Sequence, residues 1–558
     1  MVRIYLFFEI LFISTALSFG YDREGRLRIV VNESNEQYVL NRDSMSRVVK
    51  EECNGEEVSG KYDISGRRIH VQSSLGADIE AAYNPFGDLT SMTSGEWNVD
   101  YKRDAMGLEI ERLLPGNLRK QTERDVLGRV TEQNIFRSYT SVDKKSYLWG
   151  ANDRLLAVTD NGKERRYDYD SRGFLTRTLF EDGTAELRNP DKMGNLFETK
   201  DFSDRKYAKG GQLLKTRDWE YKYDDFGNLV RKKDKHGATW RYEWNAAGML
   251  ERVTRPDARE ISFKYDALGR RIEKRNGTVV TRWVWDGNVP LHEMVSQYWQ
   301  KYDKDKHQEY WDEEKRPTVT WVFEEGTFVP AAKLTEKKNL SIVSNYMGTP
   351  EAMFREDGEK VWSCELNSYG KVRNYQGETK TDCPFRYQGQ YHDADTGLYY
   401  NRFRYYDPES GSYLSQDTIG LEGNNPTLYA YVYDTNLWID LLGLWTAAPG
   451  FQAHHVISRS VWNSSPFLQN SGLSMNGASN RVDLPTVAGG DPLHPNSSTH
   501  HGWNTTHSDY NTSMKAKVDA LETRSIKESW SPDKIQQEIQ KLQDTTKQNL
   551  QNGKTLCG

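Results

Sequence analysis

One short phrase, repeated at a fixed step, constrains this chain more than any other feature. It reads aromatic, any residue, aromatic, Asp or Asn, two residues, Gly. Clear copies are Tyr167-Asp168-Tyr169-Asp170 with Gly173 and Tyr221-Lys222-Tyr223-Asp224 with Gly227. Tyr242-Glu243-Trp244-Asn245 with Gly248 and Phe263-Lys264-Tyr265-Asp266 with Gly269 follow. Positions 224, 245 and 266 stand 21 residues apart, and looser copies fall at Asp63, Asn84, Asp104, Asp125 and Asp191. Alternating rings load one face of a strand. The Asp or Asn and the Gly then supply the side-chain hydrogen bond and the positive φ of a tight turn. A period of this length holds two ordinary strands with their turns. One such unit cannot bury its apolar face alone, so neighbours must stack into a continuous sheet. The 32 Tyr, 16 Trp and 43 Gly agree, favouring many short strands over helical bundles.

At 558 residues the chain exceeds one hydrophobic core, so two or more domains are expected. The 75 basic and 81 acidic residues nearly cancel, which excludes a strongly basic nucleic-acid coat protein. Four scattered cysteines (Cys53, Cys364, Cys383, Cys557) form no CxxC pair, against a disulfide scaffold or a cysteine zinc ribbon. Of 11 histidines, six lie between His454 and His507. At the N-terminus Arg3 precedes a mostly apolar run from Ile4 to Leu17, ending near a small-residue cut site at Ala16-Leu17-Ser18. Residues 1–20 therefore read either as a secretory signal or, given Glu9 inside the run, as the first strand of the repeat region. No other apolar run is long enough to span a bilayer, so no stable membrane span is expected.

The repeated phrase resembles the YD repeat of the RHS family, loosely over residues 21–383. From Pro384 onward the resemblance tightens. Pro384-Phe385-Arg386-Tyr387-Gln388-Gly389-Gln390-Tyr391, Arg404-Tyr405-Tyr406-Asp407-Pro408, Gly411-Ser412-Tyr413-Leu414-Ser415-Gln416-Asp417 and Asp440-Leu441-Leu442-Gly443-Leu444 are similar to the RHS-associated core. The resemblance implies a mainly β protein: a hollow YD-repeat β-shell that holds a C-terminal effector, plugged by residues 384–444. It also implies that the core is an aspartyl autoprotease cutting between Leu444 and Trp445 and freeing residues 445–558. Such chemistry needs two carboxylates close enough to share a proton. Asp417 matches the family's catalytic position, with Asp407 or Asp440 as partner. Leu441 stands where the family usually has Pro. A shell from residues 21–444 is short for a sealed container, so it is open, completed by a partner or secretion-system protein, or shortened from a longer gene.

After Leu444 the Tyr-rich rhythm stops and the histidines begin. Phe451-Gln452-Ala453-His454-His455-Val456-Ile457 reads as a strand, and Asn480-Arg481-Val482-Asp483-Leu484-Pro485 as a second extended segment. His500-His501-Gly502-Trp503 leads to His507, and Tyr510, Met514, Val518 and Leu521 then mark one helix face. His507 belongs to the start of that face. A second helix is predicted with Ser531 as N-cap and Pro532 at its first position, burying Ile535, Ile539 and Leu542. Strand, extended segment and helix carrying histidines suit a one-metal nuclease, with imidazole ligands and a neutral imidazole base. Two adjacent histidines can divide those jobs only at a strand end or bulge, because a regular strand points them to opposite faces.

This segment resembles the AHH family of HNH/endonuclease VII-type nucleases, a small α+β (ββα-metal) fold, through Ala453-His454-His455, Asn480 to Pro485 and His507 to Asn511. The resemblance implies His454 and His507 as metal ligands and His455 as general base. His501 is the third ligand, with His500 as its alternative, and Asn480 pins the loop. The cofactor is one divalent ion, whether zinc, magnesium, nickel or manganese. The expected substrate is nucleic acid, DNA before RNA, cut inside a competitor cell after secretion or export, with a cognate immunity protein guarding the producer. A competing expectation is a cell-surface YD protein whose rings bind carbohydrate and whose tail is degenerate.

Overall fold

The structure, a computed structural model, describes residues 17–32, 35–105, 107–303, 308–420, 427–444, 446–447, 451–455, 457, 461–462, 465–469, 471, 481–485 and 505–551; at 302–303, 308–309, 446–447, 451–455, 469, 481–485, 505–512, 533 and 550–551 it describes the backbone. Seventeen strands from Ser18 to Leu187 form one sheet. Each pairs antiparallel with the next along the chain. Its first strand, Ser18–Tyr21, pairs with Leu27–Val31, so strand structure includes residues ahead of position 21. A second sheet of 17 strands runs from Lys206 to Gln376. In it Val289–Asp303 pairs near its start with Val319–Phe323 and farther along with Gln308–Lys315, which leaves the latter as a projecting hairpin. Among the described residues no helix is long and apolar enough to cross a membrane.

The turns follow the chemistry of the repeat. At Asp63 the carboxylate accepts the Ser65 and Arg67 amides, each at 2.9 Å, while the Gly66 amide donates to the Asp63 carbonyl at 3.0 Å. Gly66 has φ +82°, where a side chain would be strained. Arg67, directly after the glycine, donates through Nε to Asp63 at 2.6 Å and through Nη1 to the Asn84 carbonyl of the next turn at 2.9 Å. Arg47 reaches the Asp63 carbonyl in the same way at 3.1 Å. Successive turns are thereby stitched together. The first ring is buried in three of the clear copies, where Tyr221, Tyr242 and Phe263 lie in one apolar cluster, and half-buried in the fourth, at Tyr167. The second ring is half-buried and bonds back across the preceding hairpin, as when Tyr265 donates to the Leu250 carbonyl at 2.6 Å and Trp244 to that of Leu229 at 2.9 Å.

The two sheets meet in a shared apolar core. Val58, Met92, Trp97 and Leu118 of the first share a core with Leu291, Val322, Ala332 and Phe354 of the second. Trp97, fully buried, donates to Ser341 across the join at 3.0 Å. Ion pairs border this core: Arg68 clamps Asp286 at 2.6 Å and Glu325 at 3.0 Å, Arg112 meets Glu324 at 2.7 Å, and Lys145 meets Glu351 at 2.6 Å. A cavity of about 500 Å³ lies beside it, lined by Lys120, Lys145, Arg165, Glu351 and Lys360. That is the scale of a small-ligand pocket rather than of a folded domain.

A four-stranded sheet from Tyr391 to Tyr413 makes the core of the 384–444 segment. Leu398, Tyr400, Tyr405 and Leu414 pack on the shell rings Tyr221, Tyr242 and Phe263. Arg271 of the shell enters this layer, paired with Asp393 at 3.1 Å and lying over the Trp283 and Tyr400 rings at 4.5 and 4.7 Å. Farther on, the described C-terminal residues form a separate cluster of Ile457, Val461, Trp462, Leu468, Met514, Val518 and Ile539.

Candidate functional site

Asp417 and Asp440 come together on one guanidinium. Arg404 Nη2 lies 2.9 Å from Asp417 Oδ2 and 3.2 Å from Asp440 Oδ2. All three side chains are buried. Burying three charges is costly unless each is paired and hydrogen-bonded, and here each is. The Tyr413 hydroxyl donates to Asp440 Oδ2 at 2.9 Å, the Leu444 amide to Asp440 Oδ1 at 3.0 Å, and the Ile419 amide to Asp417 Oδ1 at 3.0 Å. Arg404 also donates through Nε to the Gly443 carbonyl, and its guanidinium stacks 3.6 Å above the Tyr413 ring.

The chain around Leu444 is held by its backbone. Asn401 donates to the Asp440 carbonyl at 3.0 Å, and the Phe403 amide to that of Leu442 at 3.2 Å. Gly389 lies so close to Leu441 that a Cβ there would sit 2.0 Å from the Leu441 carbonyl oxygen. Strands Ile439–Asp440 and Thr446–Ala447 pair antiparallel, with Asp440 opposite Thr446. Leu444, which is buried, therefore follows the first strand of a hairpin and lies beside two carboxylates; Trp445 lies outside the described residues. Asp407 is elsewhere: its carboxylate pairs with Lys232 of the shell at 2.7 Å and caps the Glu409 amide at 3.0 Å. Of the two partners left open for Asp417, the geometry brings in Asp440 and gives Asp407 to a shell contact. Arg404, Tyr413 and Asn401 were not legible as site residues. Arg404 stands inside the Arg404-Tyr405-Tyr406-Asp407-Pro408 run, but an arginine among tyrosines carries no distinguishing local signal.

In the C-terminal segment Phe451–His455 and Arg481–Pro485 form an antiparallel pair, with His454 opposite Val482 and His455 opposite Arg481. His455 is the last described residue of its strand, and residue 456 lies outside the described residues. The helix Thr505–Lys527 takes in His507 as its third residue. Met514 and Val518 are buried on it, as their spacing predicts. The second helix, Pro532–Gln551, starts after Ser531, whose hydroxyl accepts the Lys534 amide at 3.3 Å, and buries Ile539. It packs against the strand Arg481–Pro485. Asn480, His500 and His501 lie outside the described residues.

Residues 116–436 match the family model of the teneurin YD-shell, and the chain belongs to that family. Residues 441–546 match AHH, a nuclease family of the HNH/ENDO VII superfamily with conserved AHH. The chain thus joins a YD shell to a domain of a nuclease family. The double-stranded DNA deaminase toxin A of Burkholderia cenocepacia is 29% identical over 454 residues, covering 77% of this chain and 30% of its own length. The probable deoxyribonuclease RhsB of Dickeya dadantii is 26% identical over 457 residues, covering 75% of this chain and 30% of its own. The chain spans under a third of the length of these two relatives. A solved Photorhabdus luminescens Tc holotoxin pore is similar at 14% identity and a TM-score of 0.47, over 78% of this chain and 27% of that one.

Proposed function

We propose that this chain is an RHS-type toxin that cuts itself between Leu444 and Trp445 and so frees residues 445–558 as a nuclease, with DNA the favoured substrate. The observation that carries the reading is the meeting of Asp417 and Asp440 on Arg404 beside the Leu444 amide, a few residues ahead of the Ala453-His454-His455 strand. Two carboxylates that share one positive partner can divide the acid and base roles. Water adds to the Leu444 carbonyl carbon and gives its proton to the ionised carboxylate. The bond to the Trp445 nitrogen then breaks as the protonated carboxyl donates to that nitrogen, leaving a Leu444 carboxyl group and a Trp445 amine.

In the freed domain, His454 and His507, with His501 or His500, form an imidazole donor set. Such donors suit zinc or nickel better than magnesium. A divalent ion bound there supplies Lewis-acid stabilisation to the scissile phosphate. His455, acting as a neutral imidazole, takes the proton of the attacking water. The DNA-directed names of the two relatives support the substrate class, and an immunity protein covering the histidines is the partner a producing cell needs. The carbohydrate-platform reading needs exposed repeat rings, whereas Tyr221, Tyr242 and Phe263 are buried.

Intact mass of the purified chain tests the cleavage. A species ending at Leu444 that disappears in Asp417→Asn supports the reading. A full-length mass in wild type, or an unchanged cut in Asp417→Asn, overturns it.

A further inference from the structure

We infer that Tyr413 is a positioning residue for self-cleavage, one that holds Asp440 as the ionised carboxylate and keeps its Oδ1 on the Leu444 amide; this rests on the cleavage reading above. The geometry fixes the direction of each hydrogen bond. Asn401 Nδ2 donates to the Tyr413 hydroxyl at 2.6 Å, so that oxygen is already an acceptor and turns its own proton to Asp440 Oδ2, 2.9 Å away. Burial and the neighbouring Asp440 charge push the Tyr413 phenol well above its ordinary value, so it remains a donor throughout the range in which carboxylates titrate. Asn401 also holds the Asp440 carbonyl at 3.0 Å, and one side chain therefore sets both ends of residue 440.

Among the described residues, the groups facing Asp440 include Arg404, Asp417, Tyr413 and Tyr431, whose hydroxyl accepts the Asp440 amide at 3.5 Å. Arg404 is shared between the two carboxylates and so favours ionisation of both. The Tyr413 hydroxyl reaches Asp440, and donation to the charged form favours that form. An acid–base pair works when its two members are pushed apart. Tyr413 supplies part of that separation and, through the stacked ring, steadies Arg404 as well.

Tyr413→Phe isolates the hydroxyl. The ring keeps its contacts with Arg404, Tyr406 and Tyr431. The control is Tyr406→Phe, which removes a buried hydroxyl of the same small sheet, one bonded to the Tyr369 carbonyl at 2.6 Å. The full-length chain is unfolded in denaturant and refolded by dilution across pH 4–8, and the rate of appearance of the 444/445 cut is read by mass spectrometry. In Tyr413→Phe the acid limb of the rate profile moves up by about one pH unit, so cleavage below the midpoint slows about tenfold. Tyr406→Phe keeps the wild-type profile. Superimposable profiles for wild type and Tyr413→Phe overturn the inference, as does an equal shift in Tyr406→Phe. Asp417→Asn, run alongside, separates the two failures: a cut that persists in it sinks the cleavage reading itself, whereas a cut lost there with an unshifted Tyr413→Phe profile sinks the role of Tyr413 alone.

Discussion

Acid sensitivity of the shell can be worked out from one buried histidine. His292 is wholly buried where the two sheets meet; its Nε2 lies 2.7 Å from Ser73 Oγ of the first sheet and its Nδ1 3.1 Å from Thr320 Oγ1 of the second. Burial lowers its pKa from 6.5 to about 4. Between those values the unfolded chain binds a proton that the folded chain refuses. The stabilising contribution is therefore complete above pH 6.5 and is lost as pH falls through 4. The whole gap is worth roughly 3 kcal/mol, and the part falling between pH 6.5 and 4.5 about 2 kcal/mol. His292→Gln keeps hydrogen-bonding capacity and removes the titration. Urea unfolding followed by Trp fluorescence at the two pH values should show the variant losing about 2 kcal/mol less than wild type on acidification. His392, lowered to about 3 by burial and Arg386, contributes equally to both proteins and cancels. An identical loss in wild type and His292→Gln would refute the reasoning.

Other changes have equally definite outcomes. Asp434, raised to about 7 by burial, adds stability at low pH that is lost as pH rises through 7, so Asp434→Asn should raise stability at pH 8 relative to pH 5, checked by thermal melts. Arg68→Ala leaves the buried Asp286 and the half-buried Glu325 without their shared cation and should cost roughly 3–5 kcal/mol by urea unfolding. Gly389→Ala drives a methyl group into the Leu441 backbone at a position of φ +85°; the 440–444 segment must shift, and the 444/445 cut seen by mass spectrometry should slow at least tenfold.

The hairpins were legible because the signal is local. Asp and Gly three residues apart dictate a turn, and rings two apart dictate a face, so each copy states its own geometry. The arginine after the glycine was harder to see: at Arg67, Arg129 and Arg270 it stitches turns, and Arg47 does the same after Ser46, but Asp88, Asn195 and Asn228 replace it elsewhere and blur the pattern. How the sheets meet was not legible at all. Trp97 and Val322 would face inward equally well across a hollow or against each other, so periodicity cannot separate the two. In the core the motif pointed to Asp417, while the choice of Asp440 over Asp407 depended on where Arg404 and Lys232 fall in space. The helices after residue 500 announced themselves through apolar spacing and the Ser531-Pro532 start, whereas the order of the histidines names candidate ligands without fixing their distances.

The central claim, that this shell is joined to a metal-dependent nuclease, is tested most directly by incubating supercoiled plasmid with the purified chain. Parallel reactions contain added zinc or nickel, EDTA, or the His455→Ala protein. The account predicts nicking with the metal, intact plasmid with EDTA, and intact plasmid with His455→Ala even where that variant still cuts itself after Leu444. Plasmid left intact by the self-cleaved wild-type protein under every ion, or nicking that survives both EDTA and His455→Ala, would contradict it.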